Sequence, residues 1–213
     1  MLLTVSGDIE IHLSLLIGAV TTLLCFTLFL CTAMIYACIK MLQEWATPLT
    51  GVNYTLLGGS SGFILATVFA AWQGSGMTWF FGAWSIILTG AEFVTRATSL
   101  FRNARLRHKS TLESAIGIRH AQIQQKSQGS MTGSFNTREY FHGASQRKFR
   151  SIKWIFLVLV FPVPILLVGA GMGTQLTGLL LTAFLVQYAG LLMERWFFFA
   201  QANHPQNLYY QTV

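Results

Sequence analysis

Charge is what this chain has least of. Charged residues make up 10% of its 213 positions, against about 25% in an ordinary soluble domain. Apolar residues make up 53%. A soluble fold of this size buries roughly 70% of its unfolded surface, too little to hide so much apolar side chain, and lipid is the solvent such a composition requires. Cysteine is scarce as well: Cys25, Cys31 and Cys38 all fall in the first apolar block. They form no C-x-x-C pair and have no His at metal-ligand spacing, which excludes a disulfide framework or thiolate metal site and leaves them as small residues of a membrane helix. The opening MLLTVSGDIEIH carries Asp8 and Glu10 but neither Lys nor Arg. A secretory signal needs a basic n-region before a short apolar core, so the long apolar block that follows reads as a retained span.

Catalytic signatures are absent too. There is no G-x-S-x-G, no H-E-x-x-H and no Gly-rich phosphate loop with a following Lys. Haem held between two membrane histidines is excluded as well. His108, His120, His142 and His204 lie in a loop or the tail, and His12 lies at the membrane edge, so no span has a mid-depth His.

What is present is length and one concentrated patch of charge. About 20 mostly apolar residues cross the hydrocarbon core, and five such segments can be drawn: 11–39, 54–72, 77–95, 154–172 and 176–199. The predicted fold is therefore all-α, a polytopic transmembrane helix bundle of about five spans forming a single membrane domain over 1–213. Residues 73–76 and 173–175 are tight connections, so spans two and three form one hairpin and spans four and five another. Twelve of the fourteen Lys and Arg residues lie in the connection 96–153; only Lys40 and Arg195 fall outside it. The positive-inside rule places that loop in the cytoplasm, with the N-terminus out and the C-terminus in. Such a loop offers a landing surface for a soluble protein or for anionic lipid; no nucleic-acid partner is implied.

Local signals refine this scheme. Trp45 and Pro48 mark an interfacial turn after span one. Gly58 with Gly62, and Gly169 with Gly173, have the small-xxx-small spacing of close helix contacts. Pro162 and Pro164 should kink span four. Within the basic loop, Ser99–Lys109 extends span three as a basic helix along the membrane surface, and Ser110–Glu113 reads as a capping box that starts another short helix. Gln122–Gly133 is a polar, mobile stretch, and Thr137–Phe141 an aromatic segment suited to ordering by a partner.

The candidate site is built from the few charges inside spans. Glu92 and Arg96, four apart on span three, share a face and can pair. Glu194 and Arg195 lie near the end of span five. Ionisable groups in a span mark function by default, yet all four sit toward the cytoplasmic ends, where simple anchoring also accounts for them. Tyr36, late in span one, can hydrogen-bond a quinone carbonyl or serve as an interfacial anchor. Three functions fit: an electron-transfer anchor, a small transporter or channel, and a structural scaffold. Span centres made almost wholly of Leu, Val, Phe, Ala and Gly, with Gln187 the main polar exception, disfavour the transporter.

Three stretches, in order, carry a resemblance. CTAMIYACIKMLQEWATPLTGVNYTLLGG (Cys31–Gly59), STLESAIGI (Ser110–Ile118) and MERWFFFAQANHPQNLYY (Met193–Tyr210) are similar to the membrane-anchor subunits of DMSO reductase-type molybdoenzymes, a group that includes the sulfite dehydrogenase anchors. The resemblance implies a non-catalytic subunit of the bacterial inner membrane, part of a quinone-linked oxidoreductase in anaerobic or respiratory electron transport. Such anchors tether a molybdopterin catalytic subunit and an iron–sulfur subunit, exchange electrons with menaquinone or ubiquinone, and hold no haem. Tyr36, Glu92, Arg96, Glu194 and Arg195 are then the expected quinone vicinity. The family has eight spans, and this chain corresponds to the fourth onward, without the His-Leu-Gly-type motif associated with quinol binding. Neither the terminal substrate nor the direction of electron flow is readable.

Overall fold

The computed structural model describes residues 2–107, 109, 111–120, 122–124, 140 and 144–205. Among these the chain is all-helical, with no strand. Seven helices follow in order: α1 (Leu2–Ala37), α2 (Pro48–Trp72), α3 (Thr78–Ala104), α4 (Leu112–Ile116), α5 (Gln146–Val160), α6 (Pro162–Thr174) and α7 (Thr177–Gln201).

The helix boundaries follow from local chemistry. Thr47, in an extended conformation, accepts a hydrogen bond from Leu49 N through Oγ1 and is followed by Pro48 at the first helical position, so α2 starts well before the expected residue 54. Gly74, at φ +64°, turns the chain from α2 into α3. Pro162 lacks the N–H that would continue α5, and the chain breaks at Phe161, so the expected proline kink separates α5 from α6. Together α5 and α6 run 146–174, beginning eight residues before the expected 154. The turn into α7 is made at Gln175, left-handed at φ +56°, so α6 reaches Thr174 rather than ending at 172.

Four segments are long and apolar enough to cross a membrane: His12–Ala37, Pro48–Trp72, Gln146–Thr174 and Thr177–Gln201. α3 is not among them, but its 27 residues extend about 40 Å at 1.5 Å per residue and it lies antiparallel to α2 across a tight turn. It is the fifth span by packing. α1 packs on α2 and leaves Leu15, Leu16, Leu23 and Leu24 exposed. Such apolar outer faces suit lipid rather than water.

Several sequence expectations change. The stretch from Ser99 extends α3 as expected, but only as far as Ala104 rather than Lys109, with Arg102 donating to the Gln43 carbonyl at 3.0 Å. The capping box is shifted by one residue. Thr111 caps α4 and exchanges hydrogen bonds with Ser114, because the helix begins at Leu112 and Ser114 is its third residue. Of the four spaced glycines only Gly58 is a close approach, where an added Cβ would run into the Phe29 ring; Gly62, Gly169 and Gly173 face open space. The tight contacts come instead at Gly82 under Met172, Gly171 under Leu180 and Gly190 under Leu159 and Val160. Residues 125–133 of the polar stretch, and all of Thr137–Phe141 except Tyr140, lie outside the described residues; so do Ser110 and 206–210 of the tail.

At Gly190 a methyl group would sit 2.8 Å from Val160 Cγ2 and 3.1 Å from the Leu159 backbone. Backbone cannot rotate aside, so Gly190→Ala should destabilise by ~1–3 kcal/mol. Gly173→Ala, in open space, should leave the midpoint unchanged or slightly higher. Thermal unfolding in detergent micelles measures both, and equal effects would show that α5 and α7 do not meet at this glycine.

Candidate functional site

α3 turns an unusual face inward. Gly82, Ser85, Thr89, Glu92, Arg96 and Ser99 recur every three or four residues and are all buried. α2 answers with buried Asn53, Ser60 and Thr67, and α7 with Gln187 and Glu194. A polar seam thus runs through the bundle, contrary to the expectation of almost wholly apolar span centres. The sequence conceals it because small hydroxyl residues pass as filler among Leu and Phe. Many of these hydroxyls satisfy themselves on their own helix: Thr67 donates to the Phe63 carbonyl at 2.7 Å, Ser85 to Gly82 at 2.8 Å and Thr89 to Ser85 at 2.7 Å.

The charged centre joins three of the five anticipated residues. Glu194 is fully buried, with Oε1 2.6 Å from Arg96 Nη2 and Oε2 2.5 Å from Arg195 Nη2. Arg195 also donates from Nε to Oε2 at 2.6 Å. α3 packs chiefly on α2, and α7 on α5, α6 and α2, and the Arg96–Glu194 pair joins α3 to α7 directly. Arg96 therefore pairs across helices, not with Glu92 four residues back. Glu92 turns to α2 instead, where its Oε2 lies 3.0 Å from Ser60 Oγ. Glu92 stands 14 residues into α3, which runs on to Ala104 rather than ending near Thr95.

Tyr36 joins the same region through aromatic packing. Its ring lies 5.3 Å from Trp45, 5.8 Å from Tyr54, 5.4 Å from Phe198 and 5.5 Å from Phe199. Trp45 stacks on Phe198 at 5.0 Å and donates from Nε1 to the Phe198 carbonyl at 3.1 Å. The Arg195 guanidinium lies 4.3 Å over Tyr54 and 4.8 Å over Phe198, tying the cluster to the charged centre. Asn203 N donates to Glu44 Oε1 at 3.2 Å, and Tyr140 of the basic loop stacks on Phe199 at 4.9 Å. The turn after α1, the end of α7 and the loop thus close one end of the bundle together. Tyr54, Ser60 and Phe198 were not anticipated. Only the run of aromatics at 196–199 hinted at the last of them.

Space around the site is uneven. Beside the charged centre is a cavity of about 10 Å³, lined by Arg96, Asn53, Thr50, Ser99, Asn103 and Arg195 among others. It is the size of one water and far too small for an aromatic ring. Two apolar grooves open outward: one of about 650 Å³ between α3 and the kinked α5–α6, with Phe93, Phe101, Trp154 and Phe161 in its walls, and one of about 730 Å³ between α1 and α2, walled by Met34, Ala37, Thr47 and Pro48.

Apolar outside, with charge gathered in the interior and at one end, this fold defines a polytopic helical membrane protein. No protein-family model matches the chain, and no solved structure matches it. It is 51% identical over 212 residues to a subunit of the sulfite dehydrogenase of Allochromatium vinosum, a match that covers 100% of this chain and 65% of that protein's length.

The aromatic closure can be tested at Trp45. Trp45→Phe keeps the stacking but leaves the Phe198 carbonyl without its donor, which should cost ~1–2 kcal/mol. Trp45→Ala removes the ring as well and should cost ~3–5 kcal/mol. Chemical or thermal unfolding of the detergent-solubilised chain reads the order; equal losses would mean that the indole N–H contributes nothing.

Proposed function

We propose that the chain is the membrane component of a sulfite-oxidising complex and passes electrons between a soluble redox partner and the quinone pool. The observation that carries this reading is the 51% identity, along the whole of this chain, to a sulfite dehydrogenase subunit. Physical features agree with it. A multi-span bundle with one strongly basic loop has the form of an anchor whose cationic face receives a partner. That partner is an iron–sulfur subunit joined to a molybdopterin catalytic subunit, and the setting is a bacterial inner membrane with the basic loop in the cytoplasm.

Sulfite oxidation releases two electrons, and a quinone takes up two electrons and two protons, so the anchor must admit a lipid-soluble ring and a source of protons. The one-water cavity beside the charged centre cannot admit the ring. The groove between α1 and α2 can, and its Met34 and Ala37 flank Tyr36 in sequence. In this reading Tyr36 is the residue of the five nearest the ring. Arg96, Glu194 and Arg195 hold the interior together, and Glu92 is the carboxyl left to handle protons.

Purification of the tagged chain from its native membrane is the test. Recovery with an iron–sulfur protein and a molybdenum protein, and sulfite-dependent reduction of a water-soluble quinone by that preparation, are expected. Recovery of the chain alone and free of metal would contradict the reading and favour a scaffold or transporter.

A further inference from the structure

Ser60 Oγ makes two short contacts, 3.2 Å to the Leu57 carbonyl and 3.0 Å to Glu92 Oε2. A serine hydroxyl carries one hydrogen. Either Ser60 shares that hydrogen between the Leu57 carbonyl and Glu92 Oε2, or a protonated Glu92 donates to Ser60 Oγ while Ser60 donates to Leu57. Glu92 is fully buried, and its Oε1 has no partner among the described residues. Arg96, the cation of its own helix, is engaged by Glu194. Gln187, two turns before Glu194 on the same face of α7, is also fully buried with both amide atoms unpartnered among the described residues.

The two directions away from Glu92 are unlike. Toward the basic-loop end, one turn on, stands Arg96, which lines the one-water cavity together with Asn53, Ser99 and Asn103. Arg96 Nε and Asn53 Oδ1 there have no protein partner among the described residues, and buried polar groups of this kind hold ordered water. Toward the opposite end the hydroxyls of Thr89, Ser85 and Thr67 are committed to their own helices. Beyond them Ile64, Val68, Val168, Met172, Leu180 and Ala183 form an apolar layer, Met172 lying directly on Gly82, and this layer separates Glu92 from a cavity of about 240 Å³ at the far turns lined in part by Ser75, Thr78 and Gln175.

We propose that Glu92 is a proton-exchanging carboxyl reached only from the face that carries the basic loop, the blind end of an inlet entered beside Arg96 and Asn53. The step is a proton transfer alone: a hydronium at that face gives its proton to the carboxylate, leaving water and a neutral carboxyl, and no electron moves. The charges acting on Glu92 are Arg96 of its own helix and Glu194 and Arg195 of α7. α6 has no titratable side chain, and α2 has only Tyr54. The proposal rests on this geometry and stands whatever redox partner the chain serves.

Dicyclohexylcarbodiimide tests it, since it adds to a protonated carboxyl in an apolar setting and leaves a stable N-acylurea. The full chain is labelled in native membrane vesicles, sorted by whether trypsin added outside cuts the basic loop, and the adduct is located by mass spectrometry. An adduct at Glu92 and none at Glu194 is expected, falling as the pH rises on the basic-loop side and indifferent to pH on the other. Glu92→Gln should lose the adduct. Should that variant fail to fold, Ser60→Ala decides the direction of the hydrogen bond. Labelling of Glu92 should drop in Ser60→Ala, because the neutral carboxyl loses its acceptor; a rise would show that Ser60 had been donating to a carboxylate and would overturn the proposal. So would an unlabelled Glu92, or labelling that follows the pH of the opposite face.

Discussion

Glu194 holds its carboxylate between two guanidinium groups where neither lipid nor bulk water can reach it. Leu on one helix packs against lipid as readily as against Leu on another, so apolar contact alone gives weak preference to any one helix arrangement in a bilayer. A buried charge is different, because the cost of leaving it unpaired is several kcal/mol. Arg96 fixes the rotation of α3, Glu194 that of α7, and with those set the whole polar seam faces inward. The glycine contacts at Gly82, Gly171 and Gly190 then let the helices close around it.

From this centre the structure differs by end. At the basic-loop end Arg195 spreads over Tyr54 and Phe198, and the aromatic cluster draws in the turn after α1, the end of α7 and Tyr140. Toward the other end an apolar layer of Ile64, Val68, Val168, Met172, Leu180 and Ala183 lies between the centre and a cavity of about 240 Å³ at the turns, lined in part by Ser75, Thr78 and Gln175. The carboxyl proposed to meet protons from one side lies between these two ends. The same asymmetry gives the proposed redox partner a defined face to meet.

Much of this was legible in the sequence, and the failures are instructive. The spans, the proline break at Phe161 and the gathering of charge into one loop follow from composition and from residues with fixed backbone habits. Four of the five candidate residues stood out because charge in a span is rare, and three of those four meet at the buried charged centre. Their pairing did not stand out: Glu92 and Arg96 at four-residue spacing look like partners until Glu194 from a helix a hundred residues on offers Arg96 a better geometry. Helix length was less legible: apolar composition ends span three near Thr95, whereas α3 reaches Ala104. Gly-xxx-Gly spacing failed at Gly62, Gly169 and Gly173 because it reports small residues, and which face of a helix meets a neighbour is decided by the neighbour.

The most direct test of the central pair compares Glu194→Leu with the double substitution Arg96→Leu and Glu194→Leu in the full chain, by unfolding in the same detergent. Glu194→Leu alone strands Arg96 in the interior and should destabilise by ~3–5 kcal/mol. Adding Arg96→Leu removes the stranded charge and should return much of that loss, while Arg195 keeps its place over Tyr54 and Phe198. A double variant less stable than Glu194→Leu by the full cost of a second substitution would contradict the account, since the two side chains would then be acting apart.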